Sequence, residues 1–531
     1  MILEYKLDYR SSSLVYEKIF LNQLKEANLN GNIARDGHEL KLFVEAQEAK
    51  ELEEFATNFA NALPHSIFLY DTQASMVNEM PSEPYKLSKQ EKLPSAPCPK
   101  CLDKIQNSYN IFTQCDVCGY HTKGEDRSYQ TEFMESAQKI KEGKILEINT
   151  FYGKYFVGVP SNICNSLEFD ILAYDLATVK NYANIEEYEL NALASFEKPA
   201  IKLKKKLKFT MDYEEVEREL IRFRLADDAI LYLLMQELHT IGVDAIFITK
   251  ERIETNETLL LIRIERELNS IEIVASPKHI LIINDNQKPK TPIDSFYSVI
   301  KEHNISEKYE NIAGVHLSRE HTNNIIIQGK KYGLIEYLSF DFSFDSIADI
   351  FSQIEKSDKQ AKALLANYKK RFPELYKRVI VIKFDNSRFN IYKFWGAIAT
   401  VLDFNKSSNL FEGAKILEES AMNFLGDRGV RIDYKLVNKN GKPHFDPLMT
   451  IRTAISFKLA GVDQLGLCYG VIESFLEFIT NEIDELKQSM GVEAVVITGS
   501  LLSNRRVFSK ISREVSMNNE TYFNNKCSIE K

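Results

Sequence analysis

The sequence predicts a multidomain chain of mixed α/β and α+β type that carries a metal-binding stretch between its domains. Three observations support this. At 531 residues the chain is too long for one hydrophobic core, and about three or four domains is the expectation at such a length. Segments with strand-like alternation and segments with helical periodicity replace one another along almost the whole sequence. Between Cys98 and Cys118, two Cys-x-x-Cys pairs stand thirteen residues apart. Four thiolates at about 2.3 Å satisfy a tetrahedral zinc ion, and Gly119 suits the left-handed turn that closes such a knuckle. Cys98, Cys101, Cys115 and Cys118 are therefore expected to hold a structural zinc with no open coordination position, and His121 is expected to stay outside the set. Two separate redox dithiols are the alternative reading of the same spacing.

Composition narrows the class. The chain is 44% hydrophobic and 27% charged, with a formal net charge of −9, so a general polyanion-binding surface is not expected. The opening residues MILEYKLDY alternate like a strand rather than like a leader peptide, and no run of 18 apolar residues occurs. Cys164, Cys468 and Cys527 are scattered, a usage that suits a reducing cytoplasm.

Residues 1–75 read as strand, helix, strand, strand, helix, strand. The hairpin turns at Asp36-Gly37, and amphipathic segments flank it on both sides. This split β-α-β order is ferredoxin-like. Its length and its Leu29-Asn30-Gly31 approach to the hairpin resemble acylphosphatase. That resemblance implies a phosphate-gripping loop ending in Arg, and an Asn before the hairpin turn. Here the loop is Arg10-Ser11-Ser12-Ser13, with Glu17 at the Arg place and Ile33 at the Asn place, so the fold is expected without the chemistry.

Residues 76–97 hold four of the fourteen prolines and read as a linker, so that 76–125 comprises the linker and the cysteine stretch. From 126 to 295 a helix ended by Gly143 leads into alternating elements. The lysine-rich run Lys202 to Lys208, with Leu203 and Leu207 interleaved, reads as a strand with one cationic face, either a solvated edge or an anion site.

This order of parts resembles the HypF family, the carbamoyltransferases of NiFe-hydrogenase maturation. The resemblance implies a YrdC-like domain over 126–295 that forms a carbamoyl adenylate. It implies an actin-like ATPase-fold carbamoyl-transfer domain over 296–531. Within the YrdC-like part, the family's Lys-Arg cluster is replaced by Asn165-Ser166-Leu167-Glu168, and its Ser-Gly-Asn motif falls at Ile248-Thr249-Lys250-Glu251. In the last part, VIVIKFDNS (379–387) reads as a strand ending in Asp385, where the family continues with glycines that are absent here. FWGAIATVLDF resembles a family helix, Phe411-Glu412-Gly413 its Glu-bearing turn, and EAVVITGSLLSNRRVF its strand-to-helix turn. The resemblance implies ATP contacts from Asp385, Glu412, Gly499 and Asn504. A strand ending at Thr498-Gly499-Ser500 before a helix start also suits an anion without any such likeness, and equally suits any α/β connection. His316 and His321, five residues apart, do not fall on one helix face and are expected not to bind metal.

The single four-cysteine set and the short chain match the shortened HydE branch of the family. Loss of four separate family sites on a kept scaffold implies an accessory protein of hydrogenase maturation. Its partners would be maturation proteins (HypE-like) or the hydrogenase large subunit, with zinc as structural cofactor. An active carbamoyltransferase using carbamoyl phosphate and ATP is the alternative. A nucleic-acid module is a third reading, disfavoured by the acidic balance.

Overall fold

A computed structural model describes residues 1–531 except 12, 84, 86–95, 123, 265–269, 284–290, 332, 385–387, 427, 440 and 526–531. The chain divides into two units, Met1–Ile273 and Val274–Lys531.

The first unit begins with a four-stranded antiparallel sheet. Its strands run side by side in the order Asn30–Asp36, Glu39–Glu45, Ile2–Tyr9, Leu69–Val77. Gly37 makes the hairpin turn at φ +59, a left-handed conformation that favours glycine. Helices Val15–Ala27 and Ala49–Ala62 lie on one face, where Phe20, Phe55 and Phe59 pack ring against ring 5.4–5.8 Å apart. This is the ferredoxin-like arrangement expected for the acylphosphatase-like domain.

Cys98 then caps helix Pro99–Ser108, whose N-terminal proline is preorganised for a first turn. A larger mixed sheet follows. Its strands run Glu257–Leu259, Leu146–Thr150, Gly153–Gly158, Ala245–Thr249, Asp170–Ala173, Leu220–Arg224, Ala200–Lys205, with Glu272 and Ile273 paired to the last of these. Helices Gln130–Lys141 and Ala229–Thr240 pack on it, and one continuous core joins Phe133, Ile140 and Leu234 to the cysteines and to Phe20 and Phe55.

The lysine-rich run departs from the expected edge strand. Ala200–Lys205 is an inner strand, paired on both sides. Lys205 is buried and donates from Nζ to the Val216 carbonyl at 2.6 Å, and a helix begins at Leu207. The lysines that remain outside alternate with buried Leu203 and Ile201, so the run is a pleated inner strand rather than a guarded edge.

The second unit is built on a five-stranded sheet ordered Gly333–Ser339, Asn324–Gly329, Asn311–His316, Ala494–Thr498, Glu520–Tyr522. Helices Ile391–Val401, Leu410–Asn423 and the 27-residue Gln464–Met490 surround a core with Trp395, Phe475 and Ile497 at its centre. The expected strand over 379–387 is absent among the described residues. Pro373–Val379 is a helix with proline in its first turn, Leu375 and Val379 are buried one turn apart, and Lys383 makes only an isolated bridge to Ser346. The apolar run was therefore serving a helix end, not a sheet. No described helix is long and apolar enough to cross a membrane.

Candidate functional site

The four cysteines converge. Helix Pro99–Ser108 presents Cys98 at its cap and Cys101 in its first turn, and the turn Cys115–Gly119 brings the second pair alongside. Sulfur–sulfur separations are 3.6 Å for Cys98–Cys101, 4.0 Å for Cys98–Cys115 and 3.5 Å for Cys101–Cys118. The edge of a tetrahedron around an ion with about 2.3 Å bonds is about 3.8 Å, so the donor set fits a closed thiolate site. All four sulfurs are buried and lie within 4.8 Å of one another. The hydrogen bond with the Cys101 thiol lowers the Cys98 thiol to about 7, with Cys115 opposing and Cys118 assisting the shift. His121 is exposed and pairs by backbone with Gln114, outside the set. Gly119, at φ +76, lies under the Lys18 ammonium of helix Val15–Ala27; a Cβ there would overlap it.

In the first domain, an internal ion pair stands beside Tyr9 and Ser11, and Ser12 of the expected loop lies outside the described residues. Arg35 Nη1 meets Glu17 Oε1 at 2.5 Å, and its Nη2 donates to the Ser11 and Tyr9 carbonyls. Glu17 is fully buried. Ile33 packs into the core, and its neighbour Asn32 holds the linker instead, donating to the carbonyls of Pro81 (2.6 Å) and Glu83 (2.8 Å) and accepting from Tyr85 N–H.

In the larger sheet, the two segments expected at the family motifs touch. Glu251 accepts from the Glu168 N–H at 2.9 Å, and Thr249 Oγ1 donates to the Glu168 carbonyl at 2.6 Å. Next to them Arg222 pairs with Asp170 at 2.6 Å and Glu272 at 3.4 Å, and the buried Arg224 pairs with Asp227.

In the second unit, Gly499 at φ +109 ends the strand Ala494–Thr498, and a Cβ would overlap the Leu317 carbonyl. Asn504 caps the following helix, its Oδ1 accepting from Arg506 N–H at 2.9 Å and Val507 N–H at 3.3 Å. The space beside the turn holds Arg319. Its Nη1 donates to the Ser500 carbonyl and to Ser503 Oγ at 2.7 Å, and its Nε and Nη2 grip Glu418 in two parallel bonds. Glu418 also accepts from Asn504 Nδ2 at 2.9 Å and from the Tyr392 hydroxyl at 3.2 Å. Burial opposes the Arg319 charge, and the Glu418 carboxylate more than restores it. Leu501 and Leu502 spend their N–H groups on the Leu317 and Gly499 carbonyls.

Gly499 and Asn504 thus share one network. Glu412 is exposed in the first turn of helix Leu410–Asn423, where it accepts from Ser407 Oγ at 2.6 Å. Asp385 lies outside the described residues. His316 ends a strand, buried against Thr498 Oγ1 at 2.9 Å, while His321 is on an exposed loop. Sequence reasoning did not single out Arg35, Arg319 or Glu418. The one local signal was Glu418 on the same helical face as the buried Ala414 and Ala421.

Over 492 residues the chain is 25% identical to protein HydE of Wolinella succinogenes, covering 88% of both chains. Two solved structures share its fold nearly end to end. Full-length HypF in a phosphate- and nucleotide-bound form has TM-score 0.63 at 14% identity, over 99% of this chain and 96% of that one. HypF of T. kodakarensis has TM-score 0.67 at 12% identity, over 100% and 96%. The chain is similar to HydE and has the fold of HypF. No protein-family model matches the sequence. The multidomain HypF-like class expected from the order of parts is therefore present, with the four-cysteine cluster in place.

Proposed function

We propose that the chain serves NiFe-hydrogenase maturation as a HypF-related accessory protein that works through protein partners and does not itself transfer carbamoyl groups. The carrying observation is that arginines near the expected anion-binding places are already held by carboxylates: Arg35 by Glu17, Arg222 by Asp170, Arg319 by Glu418. A transferase needs such cations directed at charge developing on its substrate. Drawing one of these partly buried arginines away uncovers the charge of a carboxylate beneath it, at a cost of up to about 3–5 kcal/mol where the carboxylate is buried. The likeness to HydE supports the same branch.

Zinc is the metal the four-thiolate set suits best, in a structural role. The partners are HypE-like maturation factors or the hydrogenase large subunit, in the cytoplasm, with no nucleic acid. A second reading, ATP held without turnover as a gate for assembly, rests on the place of the Gly499–Asn504 turn between a strand and a helix, and it requires an anion to displace Arg319 and the carbonyls that now take the Leu501 and Leu502 N–H groups.

The test is zinc-loaded protein mixed with ATP and carbamoyl phosphate, with phosphate, AMP and pyrophosphate measured alongside equilibrium ATP binding. No sustained AMP release is expected. Sustained release overturns the proposal in favour of an active carbamoyltransferase. ATP binding without turnover, abolished by Gly499→Val in a variant whose circular dichroism shows the native fold, points to nucleotide-gated assembly.

A further inference from the structure

The outermost strands of the first sheet are treated differently by the fold. Along Asn30–Asp36, the linker residues Pro81, Glu83 and Tyr85 are fastened to Asn32. Among the described residues, Leu69–Val77 pairs only with Ile2–Tyr9, and its other edge carries no strand. Its one irregularity lies at the Leu69 end, so Asp71–Val77 is a regular stretch. Side chains from Asp71 through Met76 are all exposed, on both faces of the sheet. Thr72, Ala74 and Met76 lie opposite Leu7, Tyr5 and Leu3, on the face that the helices cover elsewhere, yet Met76 is 57% exposed. The usual guards of an exposed edge are missing from this stretch: it has no proline and no lysine, and Asp71 is its only charge.

The stretch is also complementary to itself. Turned antiparallel about Ala74, Asp71 meets Val77, Thr72 meets Met76 and Gln73 meets Ser75. No like charges stand opposite, and the smallest side chain falls on the axis, where the two copies approach most closely. We infer that this strand pairs with the same strand of a second copy, joining two four-stranded sheets into one continuous sheet across a two-fold axis at Ala74. The backbone edge supplies the hydrogen bonds, and Met76 gains cover from Thr72 of the other copy.

The full chain is tested by sedimentation over a wide concentration range, with two double variants. Thr72→Lys/Met76→Lys sets two like-charge pairs across the axis, and Thr72→Lys/Met76→Glu sets two opposite pairs. The facing residues within the chain, Leu7 and Leu3, are uncharged in both. Native protein should dimerise as concentration rises, and the all-lysine variant should associate about tenfold or more weakly than the lysine–glutamate variant. A native chain that stays monomeric throughout, or two variants that associate equally, overturns the inference. If the all-lysine variant fails to fold, hydrogen exchange of native residues 71–77 decides: exchange slows with concentration in a paired edge and is unchanged in a free one.

Discussion

Arg35 and Glu17 are 18 residues apart in sequence, and Arg319 and Glu418 are 99 apart. Nothing local announces either pair, because each charge is neutralised by a group that only the folded topology delivers. The position of Glu17 could be read as a lost arginine, but the arginine that compensates it comes from the opposite hairpin strand. Arg35→Met should cost about 3–5 kcal/mol in urea unfolding, since the buried Glu17 carboxylate loses the Arg35 guanidinium. The double change Arg35→Met/Glu17→Leu should recover most of that loss, because the buried carboxylate is removed together with the guanidinium. Gly499 is a different case, legible from its place between a β-branched run and a helix cap. Gly499→Ala must hold a left-handed backbone and displace the Leu317 carbonyl, and should lower stability by about 1–3 kcal/mol or more in the same assay.

Elements were legible where their signals are local. The Asp36-Gly37 hairpin, the cysteine pairs and the strand before Gly499 all stand where periodicity and turn chemistry put them. The run after Val379 misled because β-branched residues at a helix end look like a strand once the preceding turn is ignored. Helix Ala229–Thr240 offers a pH test. Its cap, Asp228, accepts from Leu231 N–H at 2.8 Å and Phe151 N–H at 3.2 Å. Burial, and then the adjacent Asp227 carboxylate, push its carboxyl up to about 7. The folded state therefore holds this proton more tightly than the unfolded chain. The associated stability is complete below the ordinary carboxylate range and is lost as pH rises toward about 7. Denaturation midpoints followed across that window should fall with pH in the native chain, and Asp228→Asn, which keeps a capping oxygen, should flatten the slope.

At the scale of the molecule, each unit has its own buried core, one containing the cysteines and the other Trp395. Trp395 is the single tryptophan of the chain and is fully buried. Its fluorescence therefore reports the second unit alone. Removing metal with a chelator should bring forward a far-ultraviolet circular dichroism transition while leaving the tryptophan midpoint in place. Coincident shifts in both signals would mean that the two cores unfold as one. The family likeness was readable from the order of parts because architecture survives when site residues change. The contacts of those positions, such as Arg35 on Glu17 and Glu251 on Glu168, are set by the folded topology.

The lysine above Gly119 has a consequence for the metal. A divalent ion bound by four thiolates keeps two net negative charges, and the Lys18 ammonium, from a helix belonging to the opening domain, packs over Gly119 in the turn that carries the second cysteine pair. A positive charge beside the knuckle thus comes from a neighbouring domain. Loading the metal rewards the docking of the opening domain, and anything that pries that helix away raises the electrostatic cost of keeping the ion.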